Sequence, residues 1–569
     1  MNYLEKLKTR PDWYWLNDVS LTMLSRGYLR EGIPQANLRE EAIKRANQLV
    51  DTAERILNKK LPTVRLGMAR GWVSPSSPVW SNFGNKRGLP ISCNGSYMED
   101  NMESILTANA EIGMMTKQGA GTSCYMNELR PEGAPISAGG KSHGPVHFAR
   151  LLQESISVIS QSNIRRGNCA IWLDVEHPDI NEWLMMRSIT DGVHHVIQHL
   201  SFGVCIGDKW MQEMLAEEKG GKKRLIMAKI IKRRRSSGYP YIFFKDTVNR
   251  AKPQVLKDKN IPIYASNLCS EIMLPSNAEE SFVCNLSAVN LLFYDEWKNT
   301  PLVEEMIYFL DAVMSEYIDK TASIKFMERA HAFSKRWRAL GLGVVGYHSY
   351  LQANNIAFES EKAREFNIAV HSYIGEMSHK ASKAMAAEYG EPEGLKGYGV
   401  RHLCVNAIAP TTSSSIILGQ ISQSIEPWES NYFENDNAKG VFTMKNPVLE
   451  HVLDEKGKNT RETWLSILKN AGSVQRLDFL SDEEKSIFKT FIEIDPHEII
   501  RQAGDRQRFI DQGQSINLKI NPDMNKRENV DLIVRAWKCG VKSLYYHKSL
   551  NKAQELGRSN AAACQACEA

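Results

Sequence analysis

Apolar and polar positions change rhythm several times along the 569-residue chain. From Asn37 to Ile56 the apolar residues fall at Ile43, Ala46, Leu49, Val50, Ala53 and Ile56, the spacing that lines one face of a helix. Asn37 stands where an N-cap belongs, and Glu40 and Glu41 fill the first turn. Residues 1 to about 70 therefore read as helical. Between 71 and 98, Pro75, Pro78 and Pro90 among Gly, Ser and Asn residues predict irregular backbone. Helical spacing returns over 101–118 and 146–160, and again over Leu302–Ile318 and Ala363–Tyr389. Apolar runs at Ala170–Leu173, Phe202–Ile206 and Tyr241–Phe244, set between helical stretches, predict buried strands of an α/β protein. The small, polar Arg558–Ala569 segment reads as a mobile tail.

Composition narrows the class. With 42% apolar and 24% charged residues the chain fits a soluble globular protein. Its length exceeds the typical domain of about 100–200 residues, which a large α/β barrel also does. A net charge of +5 argues against nucleic acid as the main partner. The basic run Lys232-Arg233-Arg234-Arg235, with Lys222, Lys223 and Arg224 nearby, reads as a solvated loop or hairpin. No window of about 18 uncharged apolar residues predicts a membrane span, and the start has no apolar signal-peptide region. Ten cysteines in a chain of this size read as reduced thiols, and a cytoplasmic location is expected.

Some of those thiols sit in unusual company. In Asn267-Leu268-Cys269-Ser270-Glu271-Ile272 a thiol lies two residues from an amide and two from a carboxylate. In an extended segment these three side chains share one face, giving a hydrogen-atom carrier, a hydrogen-bond donor and an acid/base. Taken alone, a buried structural cysteine is the commoner reading. Ser92-Cys93-Asn94-Gly95 and Cys284-Asn285-Leu286-Ser287 hold two more thiols. Cys564-Gln565-Ala566-Cys567 is either half a zinc site or a dithiol that cycles to a disulfide; its place near the chain end favours the dithiol. Cys124, Cys169, Cys205, Cys404 and Cys539 read as core or surface thiols. Tyr545-Tyr546 alone is aromatic packing, and Pro410-Thr411-Thr412-Ser413-Ser414-Ser415 alone is an N-cap run.

In their order, these segments resemble the large subunit of class I ribonucleotide reductases from about Ser74 to the C-terminus. Leu173–Ile180, Ala339–Val344 and Ser543–Tyr546 complete the set. The resemblance implies that Cys269 carries a transient thiyl radical that takes the 3′-hydrogen, that Glu271 is the base at the 3′-hydroxyl, and that Asn267 holds the ribose hydroxyls. It implies that Cys93 and Cys284 are the reducing pair, re-reduced by Cys564 and Cys567, with thioredoxin or glutaredoxin as the external reductant. Tyr546 and then Tyr545 would relay oxidising equivalents to Cys269 from the metallocofactor of a separate small subunit. No metal site and no covalently bound cofactor is expected in this chain.

The substrate implied is a ribonucleoside diphosphate, its phosphates held at Pro410, Thr411, Thr412, Ser413 and Ser414 with help from Ser77 and Ser92. A Mg-dNTP or ATP effector is implied at Asp100, Lys117, Arg130 and the Gly-rich stretch from Ile136. A loop bearing Gln161, Arg165 and Arg166 would link effector to substrate choice. The implied fold is a ten-stranded α/β barrel, two antiparallel five-stranded parallel halves with Cys269 on a central finger loop. The expected division is a helical region over 1–73 without an ATP-cone, a barrel over 74–550 and a redox tail over 551–569. A homodimer is expected. Two other readings stay open: an adenosylcobalamin-dependent reductase, and a nucleotide-binding relative without catalysis.

Overall fold

The computed structural model describes residues 3–86, 88–137, 139–159, 167–188, 196–437, 440–521 and 524–549. The predicted runs at 170–173, 202–206 and 241–244 lie within strands β4 to β6. In chain order the strands are β1 (Val73–Pro75), β2 (Cys93–Tyr97), β3 (Gly121–Tyr125), β4 (Asn168–Asp174), β5 (Ser201–Ile206), β6 (Tyr241–Phe244), β7 (Phe282–Asn290), β8 (Leu340–Val345), β9 (Tyr432–Asn437), β10 (Gly440–Lys445), β11 (Leu518–Ile520), β12 (Ser543–Leu544) and β13 (His547–Ser549). β1 to β8 and β12 form one curled sheet of nine strands; β9–β10 and β11–β13 stand apart as pairs.

β2 to β6 run parallel in chain order. Helices Met102–Lys117, Gly144–Ile159, Ile180–Met185, Asp208–Ala216 and Lys222–Ser237 make the returns. β5 is buried along its whole length and β4 along all but its last residue, so their sequences are continuous apolar runs rather than alternations. β7 then reverses direction. Its start pairs antiparallel with β2 and its second half with β1, while its other edge runs parallel to β8.

Past β8 the curl continues through two extended segments, 403–408 and 512–516. Leu340 and Leu342 donate backbone N–H bonds to the carbonyls of Cys404 and Val405, and Ile408 donates to Gly513. Tyr545 N–H donates to Ile516, and β12 returns antiparallel to β6. Isolated bridges, not regular strands, join these two segments to the sheet. The fold is therefore α/β with a curled half-barrel sheet, and regular strand geometry falls short of the expected count of ten.

Three local expectations differ from the structure. Asn37 makes no capping bond, because it sits in helical backbone at the end of a one-turn 3-10 helix, where its side chain cannot reach back. The stretch 71–98 is less irregular than its prolines suggest: it holds β1, the helix Ser77–Asn82 and β2. The basic run is neither loop nor hairpin but part of the helix Lys222–Ser237. Lys and Arg are good helix formers, and Ile226, Met227, Ile230 and Ile231 supply a buried face that also takes in Arg234.

The helix Leu302–Thr321 packs behind β7, whose Asn285 donates Nδ2 to the Leu310 carbonyl at 2.7 Å. Its buried Asp311 gathers Arg338 at 2.7 Å, Arg401 at 3.0 Å and His402 at 3.1 Å. This cluster ties the helix to the two segments that enter β8 and 403–408. The cations outweigh burial and hold the Asp311 carboxyl well below the usual carboxylate range. Removing the charge leaves two largely buried guanidinium groups without their anion, so Asp311→Asn is expected to cost about 3 kcal/mol. A depressed carboxyl contributes stability above its unfolded pKa, near 3.9, and loses it as pH falls further. The melting temperatures of wild type and variant are therefore expected to differ most at neutral pH and to converge in acid; a constant gap down to the acid limit contradicts this account.

Candidate active site

The antiparallel register of β2 against β7 sets Cys93 directly opposite Cys284. Two features let the strands approach. Gly95 faces Phe282, and a Cβ there would lie 2.1 Å from the ring. Gly341 on β8 leaves room beside Cys284, since a Cβ would stand 3.2 Å from that sulfur and 2.5 Å from Leu286. Both thiols are buried. Burial pushes the Cys284 thiol well above its ordinary value, opposed by a hydrogen bond from Gln512.

Cys269 lies on a loop between the helix Gln254–Asp258 and β7 and is fully buried. The expected extended arrangement of Asn267, Cys269 and Glu271 is not what forms. Asn267 to Ser270 make a turn, with Ser270 N–H donating to the Asn267 carbonyl at 3.3 Å and Ser270 at φ +63°. The cause is the Asn267 side chain, whose Oδ1 accepts from the backbone N–H groups of Glu271 and Ile272 at 3.1 and 3.2 Å. Such a side chain competes with extended backbone for local donors.

The turn still brings the predicted residues together. Asn267 Nδ2 donates to Glu271 Oε1 at 2.9 Å and lies 3.8 Å from the Cys93 sulfur. Ser515 Oγ lies 2.9 Å from Glu271 Oε2 and 2.6 Å from the Cys269 carbonyl. One hydroxyl proton serves one acceptor at a time, so Ser515 donates to either the carboxylate or the carbonyl. The loop is pinned by Gly513 N–H to the Glu271 carbonyl at 2.7 Å and by Ser543 Oγ to the Ser270 carbonyl at 2.6 Å.

Ser543 stands two residues before Tyr545, so the same short stretch anchors the cysteine loop and the tyrosine pair. Tyr545 is fully buried and its ring centroid lies 4.3 Å from that of Tyr546. Tyr241 packs against both, at 4.7 and 5.1 Å. The Tyr239 hydroxyl lies 3.1 Å from the Tyr546 hydroxyl and 3.2 Å from Ser201 Oγ. Arg187 covers the face of Tyr239. Sequence reasoning missed Gln512, Ser515, Tyr239 and Tyr241. The available signals were the polar Gln512–Ser515 run between two isoleucines and the aromatic Tyr239-Pro240-Tyr241 triplet.

The remaining predicted residues are more dispersed. Pro410 precedes Thr411 at φ +56°, and the short helix Thr412–Ile417 follows, with Ser413 and Ser414 buried. Thr411 Oγ1 accepts from Ser424 N–H, and Thr412 Oγ1 donates to Gln423. Ser77 heads its helix 2.7 Å from the Tyr28 hydroxyl, and Ser20 Oγ lies 3.4 Å from the Ile416 carbonyl. Ser77 and the Ser-rich turn thus rest on the same N-terminal segment. Ser92 is buried beside Cys93.

Asp100 and Arg130 pair with each other, Nε to Oδ2 at 2.6 Å, and Arg130 also donates to the Pro135 carbonyl. Ile136 is exposed on the small hairpin closed by Pro135 and Lys141. Lys117 lines a cleft of about 1910 Å³ with Tyr28, Arg30, Lys44 and Lys86, and none of the active-site thiols borders it. Gln161, Arg165, Arg166, Cys564 and Cys567 lie outside the described residues. Among the described residues no helix is long and apolar enough to cross a membrane.

Comparison with known proteins agrees with this geometry. The family described as ribonucleotide reductase, barrel domain, matches residues 91–222, 217–397 and 392–547. The ribonucleoside-diphosphate reductase large subunit of Invertebrate iridescent virus 3 is 31% identical over 85% of this chain and 86% of its own length. The subunit alpha of Chlamydia trachomatis is 27% identical over 84% of this chain, which spans 53% of that longer protein. Among solved structures, the class Id ribonucleotide reductase alpha subunit of Actinobacillus ureae superposes with a TM-score of 0.88 at 48% identity, over 95% of this chain and 99% of that one. The chain belongs to the ribonucleotide reductase family, as a large, barrel-bearing subunit.

Proposed function

We propose that this chain is the catalytic subunit that reduces ribonucleoside diphosphates to 2′-deoxyribonucleoside diphosphates. The observation that carries the reading is the direct opposition of Cys93 and Cys284, with the Asn267–Glu271–Ser515 hub against the first of them. A two-electron reduction needs a dithiol, and a loop thiol beside a carboxylate supplies the rest. The Cys269 thiyl takes the 3′-hydrogen, Glu271 takes the 3′-hydroxyl proton, and the 2′-hydroxyl leaves as water. Cys93 and Cys284 give up two electrons and two protons and become a disulfide, and Cys269 returns the hydrogen. Asn267 orients Glu271 and reaches toward the ribose hydroxyls.

In this reading oxidising equivalents enter from the metallocofactor of a separate small subunit through Tyr546 and Tyr545; the contacting rings support that path. Cys564 and Cys567 re-reduce the pair and are themselves reduced by thioredoxin or glutaredoxin. Substrate phosphates sit at Pro410–Ser414 with Ser77 and Ser92. Effector Mg-dNTP or ATP sits by Asp100, Arg130 and Ile136, opening the ion pair as it binds, with Lys117 and the 161–168 loop nearby. The curled sheet closes as a ten-membered ring through 403–408 and 512–516, between a helical region over 1–73 and a tail over 551–569. A homodimer covers the exposed apolar side chains of two packed helices, Met102 and Leu106 on one and Leu151 and Val158 on the other; Val158 is 80% exposed. Free thiols suit a cytoplasmic location.

The decisive assay is CDP reduction with dithiothreitol, magnesium and an ATP or dATP effector. Product is expected only with a cognate small subunit; product with adenosylcobalamin and no partner would overturn the relay and the partner together. With the small subunit present, Tyr546→Phe is expected to lower kcat on the order of 1000-fold or more while leaving effector binding unchanged. A variant that keeps most of its turnover would show that the tyrosine pair is packing alone.

A further inference from the structure

The two sulfurs of the reducing pair are not equivalent, and the difference lies in Gln512. This side chain is fully buried, and each of its polar atoms has a fixed use. Oε1 accepts from Met273 N–H at 3.1 Å. Nε2 donates to the Leu340 carbonyl at 2.9 Å and to the Cys284 sulfur at 3.2 Å. Turning the amide over would set its oxygen against the Leu340 carbonyl and its NH2 against the Met273 N–H. The hydrogen bonds therefore dictate that an N–H faces the sulfur. The backbone is equally constrained, since the Gln512 carbonyl accepts from Lys542 Nζ at 2.8 Å and from Gln507 Nε2 at 3.0 Å. Among the described residues the Cys93 sulfur has only the 3.8 Å contact from Asn267, whose amide also serves Glu271 at 2.9 Å.

We propose that Gln512 is a positioning residue that stabilises negative charge on Cys284 and so makes Cys284 the leaving sulfur when the Cys93–Cys284 disulfide is reduced. The proposal rests on the reading of these cysteines as the reducing pair. A reductant thiolate attacks the Cys93 sulfur, the Cys93–Cys284 bond breaks, and Cys284 departs with the electron pair as a thiolate. The second reductant thiol then attacks the sulfur of the mixed disulfide joined to Cys93 and releases Cys93. Two electrons pass to the pair, two protons end on its thiols, and the reductant becomes a disulfide. Exchange is faster when the leaving thiolate is better stabilised. Without that N–H, no other donor among the described residues offsets the cost of charge on the deeply buried Cys284, and burial drives its thiol toward the protonated form.

The test uses the complete enzyme with its small subunit. Cys564→Ser and Cys567→Ser keep the tail from re-reducing the pair; one turnover of CDP without reductant then oxidises the pair, dithiothreitol is added, and the loss of the Cys93–Cys284 disulfide is followed by alkylation and mass spectrometry. Gln512→Met is expected to slow re-reduction about tenfold, in line with the loss of a hydrogen bond to a charged group. Gln512→Glu is expected to be slower still near neutral pH and to recover as pH falls and its carboxyl becomes a donor. A packing role predicts the opposite order, since Glu has the shape of Gln; that order, or equal rates in all three proteins, overturns the proposal. A second measurement needs no Gln512 variant: the tail-blocked enzyme is quenched during reduction by 2-mercaptoethanol, and the adduct is located. It is expected on Cys93, and an adduct on Cys284 contradicts the assignment. If the tail-blocked enzyme with Gln512 intact forms no Cys93–Cys284 disulfide on turnover, the reducing-pair reading itself fails, and this is seen before any Gln512 variant is made.

Discussion

The antiparallel contact between β2 and β7 is the constraint on which the rest of the site depends. A β-ladder fixes side-chain positions in steps of one residue, and a slip by one would turn one of the two sulfurs to the opposite face of the sheet. Cys93 and Cys284 stand directly opposite each other only in the register observed. That register is held from several sides: by Gly95 and Gly341, which admit close approach; by Asn285 of β7, bonded to the helix behind it; and by the parallel partner β8. It also joins strands of opposite direction, so the dithiol sits on the seam where the parallel run β2–β6 meets β7 and β8.

Around that seam, polar groups are bonded to one another rather than to bulk water. Asn267 serves two backbone donors, one carboxylate and one sulfur, and Ser515 stands between Glu271 and the Cys269 carbonyl. In an interior of low dielectric such a network has two consequences. Each bond is stronger than in water, and each group left without a partner is costly. The network therefore fixes geometry as well as charge. The carboxylate, the amide and the loop thiol are held within one turn, and the tyrosine pair is tied to that turn through Ser543.

The tyrosines illustrate how neighbours change what a motif means. Tyr545-Tyr546 in sequence is an aromatic dipeptide. In the fold it becomes four rings, with Tyr239 and Tyr241 brought from the start of β6 by the antiparallel return of β12. The Tyr239 hydroxyl is bonded to Tyr546 and Ser201, while Arg187 lies over the ring. A cation on that face makes removal of an electron from the ring harder.

Local sequence by itself determined the elements whose cause is local. The periodic helices at 101–118, 302–318 and 363–389 and the apolar strands at 170–173, 202–206 and 241–244 were legible because burial on one or both faces is written directly into residue order. The ordered set of short motifs was enough to name the family and to pick out Cys93, Asn267, Cys269, Glu271 and Cys284. Tertiary structure alone decided the pairings. The bend at Asn267 comes from a side chain competing for backbone donors, which defeats a rule based on extended alternation. Arg234 is buried because its helix packs against the elements around β13, which a charge count cannot reveal. Gln512 reaches Cys284 across 228 positions of chain, and Ser515 reaches Glu271 across 244. Contacts that distant leave no periodic trace in sequence, because they are fixed by how strands are ordered in a sheet rather than by any residue's neighbours.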